Sequence, residues 1–406
     1  MKEKLRTYID SICGELCGLA DDIFDHPECG GEERYAVERL TKFLRDQDFT
    51  VETGIAGLPT AFRAIYQVGT GGPSIGLLCE YDALKGFGHG CGHHMQGPAG
   101  GGRICSRGPH VRGRAVLGAA AALRRCLGED TPAKIVVYGT PAEETSMGKT
   151  IMLREGYFRD IDLALMTHAN PETNVDVKSL ALRSYRVRFH GVSAHAAIKP
   201  EDGRSALDAL MLACHGLECL REHVRDDVRM HYAIRETSPL SNVVPDFVEA
   251  SFVIRSYSTD YIETLVPRLK KVLQGAAMMT ETSCEIIEKS HLDSKVPSYI
   301  LNDRIMENAR AVDAPQLGAP REKTGSTDFG NVLHTLPGAC VRIAFVPRGT
   351  SSHSQEYLDA GKSDAAHLAV RLAAQILALT SWDVIADEEL LERVRVEFAE
   401  NLATMG

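Results

Sequence analysis

Ser74-Ile75-Gly76-Leu77-Leu78-Cys79 runs directly into Glu80-Tyr81-Asp82-Ala83-Leu84-Lys85-Gly86-Phe87-Gly88-His89-Gly90-Cys91-Gly92-His93-His94, and this junction decides the fold. The first six residues are apolar enough for a short buried strand. The residues after them crowd acids, imidazoles and a thiol between glycines, which suits a loop with chemical work to do. Open α/β sheets place their sites at the carboxyl ends of strands, and this loop sits at one.

Outward from that junction, residues 5–24 and 32–44 carry apolar positions at helical spacing, with Asp25-His26-Pro27-Glu28-Cys29-Gly30-Gly31 as the break between them. Strands are expected at 61–68, 74–79, 135–138 and 161–166, with a helix at 115–127. That alternation predicts an α/β fold, a mostly parallel sheet flanked by helices. From about Lys178 the texture changes. A strand at 183–189, a helix at 205–222, strands at 228–234 and 247–255, a helix at 261–278 and a strand at 284–288 spell β-α-β-β-α-β, a small α+β domain of ferredoxin-like type. The chain then returns to helix, the strand 340–346 and the helices 365–379 and 388–399. The division expected is a main domain in two parts, 1–177 and 293–406, with 178–292 inserted.

Composition narrows the function. At 406 residues, 44% hydrophobic and 25% charged, the chain suits a soluble globular protein of two domains. A net charge of -10 disfavours nucleic acid, whose non-specific binding needs basic surface to displace phosphate counterions. Charges break the longest apolar stretches, so no membrane is expected as a partner. Eleven cysteines without a repeating spacing argue for reduced thiols and a cytoplasmic location. A small-molecule substrate is the remaining class.

Four strand ends carry side chains that ligate metals: Cys91 and His93, then Glu143 and Glu144 in Gly139-Thr140-Pro141-Ala142-Glu143-Glu144, then His168, then His353 in Ser351-Ser352-His353-Ser354. Each motif alone has an ordinary explanation. Adjacent acids favour a helix start, and a lone histidine is more often structural than catalytic. Convergence of thiol, imidazoles and carboxylates on one sheet edge is what points to metal chemistry. Paired carboxylates can divide the labour, one binding the ion while its neighbour handles protons. The competing reading is a thiol hydrolase with Cys91 as nucleophile and His93 or His94 as base.

The motif order resembles the co-catalytic di-metal aminoacylase and carboxypeptidase family, in particular the amidohydrolase branch of auxin-conjugate hydrolases and aminobenzoyl-glutamate hydrolase. The resemblance rests on Pro27-Glu28 with Glu32-Glu33, Glu80-Tyr81-Asp82-Ala83-Leu84, Gly90-Cys91-Gly92-His93, Pro141-Ala142-Glu143-Glu144 and His168 with Pro171. It continues through Gly191-Val192-Ser193-Ala194-His195-Ala196-Ala197, Asn242-Val243-Val244-Pro245-Asp246, Gly325-Ser326-Thr327-Asp328-Phe329-Gly330-Asn331-Val332 and His353-Ser354.

The resemblance implies a phosphorylase/hydrolase-like catalytic domain with an inserted lid that also dimerises. It implies two divalent metal ions, Zn²⁺ or Mn²⁺ with Co²⁺ as a further candidate, held by Cys91, His93, Glu144, His168 and His353. Glu143 is then the general base that takes a proton from the attacking water and returns it to the leaving nitrogen. His195 stabilises the oxyanion, and Asn242 and Arg255 grip a substrate carboxylate; Asp82 and Asp328, apart from the resemblance, are read either as orienting ligands or as turn caps. The implied reaction is hydrolysis of the amide bond of an N-acyl or N-aminoacyl amino acid or a related aryl amide. One departure stands out. Residues 99–114, glycine-rich and basic with no hydrophobic period, intervene before the small-residue helix, so a binding protein of the same fold with impaired catalysis is a further alternative.

Overall fold

Two helices, α1 (Lys2–Asp25) and α2 (Arg34–Asp46), lead into β1 (Thr50–Thr53), β2 (Phe62–Val68) and β3 (Ser74–Cys79), followed by α3 (Val111–Cys126), β4 (Ala133–Gly139), α4 (Gly148–Arg154), β5 (Leu163–Asn170) and β6 (Asn174–Val175). Next come β7 (Ala181–His190), α5 (Ala206–Arg221), β8 (Arg229–Thr237), β9 (Phe247–Ser256), α6 (Thr259–Met279) and β10 (Ser283–Leu292). The chain closes with α7 (Tyr299–Ala311), α8 (Phe329–Leu333), β11 (Gly338–Ala344), α9 (Gln355–Asp359), α10 (Asp364–Ala386) and α11 (Glu388–Thr404). A computed structural model describes residues 1–83, 111–145, 148–351 and 354–405, with backbone only for 111–114. Contacts divide it into two units, Met1–Lys178 with Lys295–Leu402, and Ser179–Ser294 with Ala403–Gly406.

In the first unit seven strands lie in the order β1-β2-β4-β3-β5-β11-β6. The central strands β4, β3, β5 and β11 are mutually parallel, and β1, β2 and β6 add antiparallel edges. The chain leaves β3 for β4 on one side and later takes up β5 on the other, so the carboxyl end of β3 is a topological switch point. Side chains alternate along each strand. Ile75, Leu77, Ile135, Val137, Leu163 and Leu165 join the core built with α1, α3 and α10, whereas Leu78, Val136, Tyr138, Ala164 and Met166 join Met152 of α4 and Phe329 of α8. Continuing the same period puts Glu80 and His168 on the α4/α8 side.

The second unit is a four-stranded antiparallel sheet, β10-β7-β9-β8. Tyr185, Val187, Phe189, Val248, Ala250, Phe252 and Ile254 pack its inner face against α5 and α6. Serines start these helices: Ser205 Oγ accepts from Asp208 N at 3.1 Å and Ser258 Oγ from Tyr261 N at 3.0 Å. Each such cap contributes about 1 kcal/mol. The fold is thus the expected α/β sheet with a ferredoxin-like second sheet.

Three local expectations are corrected. The strand expected at 161–166 lies at Leu163–Asn170, so His168 sits inside β5 and not beyond its end. Pairing explains it: β11 continues the ladder through Arg342↔His168 to Ala344↔Asn170, past the point where the apolar run stops. Helix α3 begins at Val111, so the last residues of the 99–114 segment are helical; once a helix is nucleated, each added residue gains a hydrogen bond. Residues 99–110 lie outside the described residues. Finally, α10 is long and apolar enough to cross a membrane by length and composition, a stretch the sequence was not expected to hold. Its side chains from Val370 to Leu379 are buried almost without break, which accounts for that composition.

Candidate active site

The carboxyl end of β3 delivers Glu80 and Asp82, both buried. Ala83 N donates to Glu28 O at 2.7 Å, which ties this end to the lead into α2. Glu80 is shared between two partners: Oε1 lies 2.7 Å from Lys149 Nζ and Oε2 lies 3.6 Å from His168 Nε2. Asp82 Oδ2 accepts from Glu144 N at 3.0 Å and so joins the β3 and β4 ends.

The end of β4 delivers Glu143 and Glu144 on a single 3-10 turn, Glu143–Thr145. Ala142 just before it has a φ of 57°, left-handed backbone that costs a residue with a Cβ roughly 1–2 kcal/mol. Glu33, fully buried, holds it there. Glu33 Oε1 accepts from Ala142 N at 2.8 Å, while Oε2 accepts from Gly31 N at 2.8 Å and Thr60 Oγ1 at 2.7 Å. Buried carboxylates persist only when hydrogen-bonded in this way. Thr327 Oγ1 donates to Glu143 Oε1 at 3.1 Å.

Helix α4 begins against Pro141, and only glycine fits: a Cβ on Gly148 would stand 1.8 Å from Pro141 O. Lys149 then points inward, its side chain without exposure. Its Nζ lies 2.6 Å from Asp328 Oδ1, and its N donates to Asp328 Oδ2 at 3.0 Å. Burial works against the charged ammonium. Asp328, Glu80 and Glu143 outweigh that and hold it charged.

One ammonium does not balance these acids. Oxygens of Glu80, Glu143 and Asp328 lie within 4.8 Å of one another. Burial, then Glu80 and Glu144, pushes the Glu143 carboxyl well up. Burial raises Asp328 against the pull of Lys149, and it pushes Asp82 up to about 7. Excess buried negative charge beside an imidazole partnered by a carboxylate is the chemistry of a divalent-cation site, since metal-bound histidines are oriented this way. Carboxylate and imidazole, the side-chain types of Glu144 and His168, are donors that such ions take.

Of the residues expected from sequence, Glu143 lies in the acid cluster, His168 beside Glu80, and Glu144 next to Glu143 with its backbone N on Asp82. Cys91, His93 and His353 lie outside the described residues. His195 and Asn242 belong to the second unit, where two segments bring them side by side: Val244 N donates to Ala194 O at 2.9 Å and Ala196 N to Asn242 O at 3.0 Å. Both are exposed. Arg255 stands near the far end of β9, about 26 Å of strand from Phe247 where β9 begins, opposite Arg229 of β8. Asn242 and Arg255 do not converge on one carboxylate. Lys149 was not anticipated from sequence; a lysine between Gly148 and Thr150 carries no motif.

Residues 77–378 match the model of Peptidase family M20/M25/M40. The Xaa-Arg dipeptidase of Mus musculus is 31% identical over 413 residues, covering 98% of this chain and 92% of that protein. One of the p-aminobenzoyl-glutamate hydrolase polypeptides of Escherichia coli (strain K12) is 32% identical over 460 residues, covering 93% and 91%. Among solved structures, a dinuclear metal binding peptidase of Bacillus subtilis superposes with a TM-score of 0.63 at 17% identity, covering 91% of this chain and 99% of that one. The family match begins inside β3 and extends into α10, and the chain therefore belongs to Peptidase family M20/M25/M40 as a metal-dependent hydrolase of amide bonds.

Proposed function

We propose that the protein hydrolyses the amide bond of an N-acyl or N-aminoacyl amino acid, or of a related aryl amide, whose amine side carries a free carboxylate. Glu143 is the general base. Glu144 and His168, with Cys91, His93 and His353, are the ligands of two divalent ions, Zn²⁺ or Mn²⁺, and Cys91 is a ligand and not a nucleophile. The observation that carries this is the joining of Glu143, Glu144 and His168, through Glu80 and Asp82, at the carboxyl ends of β3, β4 and β5. His195 is the proposed oxyanion group and Asn242 a proposed carboxylate contact. The names of the two relatives support the substrate class, because a dipeptide ending in arginine and p-aminobenzoyl-glutamate are both amides with a carboxylate beside the leaving nitrogen.

A panel of N-acyl amino acids, dipeptides and aryl amides, each run with added Zn²⁺, Mn²⁺ or Co²⁺ and with a chelator, tests the proposal. Turnover of amides with a free carboxylate, lost on chelation and restored by one of the ions, is expected. Turnover that survives chelation and stops with a thiol-blocking reagent would instead support Cys91 as nucleophile.

A homodimer through the second unit is part of the same proposal. β8 is an edge strand of its sheet and exposes Tyr232 and Ile234, the arrangement that invites a second strand. Ile234→Lys is expected to halve the mass seen in sedimentation; an unchanged mass removes β8 from the interface. The cytoplasm is the proposed location, in keeping with the absence of disulfides among the described cysteines; cell fractionation checks it.

A further inference from the structure

Glu80, Glu143 and Asp328 have the spacing of a cation nest, with an oxygen of each within 4.8 Å of the others. A cation is already there. Lys149 Nζ donates to Asp328 Oδ1 at 2.6 Å and lies 2.7 Å from Glu80 Oε1 as an ion pair, and its side chain is fully buried. Neither end of the residue can drift. Its backbone N is fixed on Asp328 Oδ2 at 3.0 Å, and Gly148 seats the start of α4 against Pro141.

The consequence falls on Glu80. With Oε1 in the ion pair with Lys149, Oε2 lies 3.6 Å from His168 Nε2. We infer that Lys149 is a tethered cation, taking the place of a metal ion in the Glu80/Glu143/Asp328 nest and holding Glu80 as the outer partner of His168. The lysine is thereby a positioning residue. It keeps Glu80 out of the coordination sphere, so that divalent ions are confined to the Glu144 and His168 side. This inference rests on the assignment of His168 and Glu144 as ligands made above.

Three variants test it, read first by metal analysis after gel filtration in Zn²⁺ or Mn²⁺, which needs no substrate. Lys149→Met keeps the volume and removes the charge, and it is expected to carry one more ion per chain than the wild-type protein. Lys149→Ala leaves a cavity. Its kcat is expected to fall about tenfold or more, with little change in KM, and to recover in part when methylammonium is added. A lysine that served only as a packed ion pair would give neither the extra ion nor a kcat that follows methylammonium.

Lys149→Met/Asp328→Asn removes both charges together, a change that buried ion pairs commonly tolerate, and so remains informative where the single variants fail to fold. It is expected to retain metal at least tenfold more weakly, because Glu80 has lost its anchor. Wild-type metal count and wild-type kcat in these variants would overturn the inference. A wild-type protein that binds no divalent ion would overturn the ligand assignment instead. Uptake of an ion by Lys149→Met would still then identify Lys149 as the occupant of the nest.

Discussion

Replacing Glu143 by glutamine is expected to lower kcat by about a thousandfold while leaving metal content and KM near their wild-type values. Glutamine keeps the shape of the side chain, and its amide oxygen can still accept the Thr327 hydroxyl that now lies 3.1 Å from Glu143 Oε1. What it cannot do is carry a proton. Divalent ions held by the proposed ligands would polarise the scissile carbonyl and acidify water. In the proposed mechanism the chain's own part is the proton at Glu143 Oε, taken from the attacking water and delivered to the departing nitrogen. A carboxylate suits that role near neutral pH when its proton affinity is raised, which is the direction that burial and then Glu80 and Glu144 give Glu143. Glu33 protects the geometry, since the left-handed turn at Ala142 that aims Glu143 depends on its carboxylate. Metal analysis beside steady-state kinetics separates the outcomes. A fully active Glu143→Gln would remove Glu143 from the chemistry, whereas an inactive variant stripped of metal would make it a ligand.

How far the site was legible follows from the separation of its parts. The α/β class could be read because β3, β4 and β5 are apolar runs that stop at chemically distinctive residues, and the strand-end rule then says where those residues gather. Glu143 and Glu144 carried a motif. Lys149 carried none, because a buried lysine is recognised only by its counter-charges, and Asp328 lies 179 residues away. His168 was placed past a strand end for a similar reason: the apolar pattern stops at Met166, but the hydrogen-bond ladder is set by β11, far along the chain. Arg255, which the resemblance set beside Asn242, stands near the far end of β9, and a continuous strand carries it along at about 3.3 Å per residue.

Asp176→Asn is expected to cost the protein about 3–5 kcal/mol of stability at neutral pH, the penalty for stripping the counter-charge from a buried ionic group. Asp176 is buried just after β6, and three cations converge on it. Arg342 Nε lies 2.8 Å from Oδ1, Lys295 Nζ 3.1 Å from Oδ2 and Arg321 Nη1 3.5 Å from Oδ1. These come from separate parts of the first unit: β11, the residue where the chain re-enters that unit, and a segment whose backbone pairs with Val175 and Val177. Arg342 is also the register partner of His168, so the same carboxylate steadies the strand beside the site. Burial works against the charged form, but Arg342, then Lys295 and Arg321, prevail and hold the carboxyl well below the usual carboxylate range. A depressed folded-state value means stability that is present above the unfolded carboxylate pKa and is lost as pH falls below about 4. The wild-type urea midpoint should therefore drop more steeply in acid than that of Asp176→Asn, and the gap between the two should narrow there. Equal midpoints at pH 7, or a gap that does not change with pH, would mean that the three cations are satisfied without Asp176.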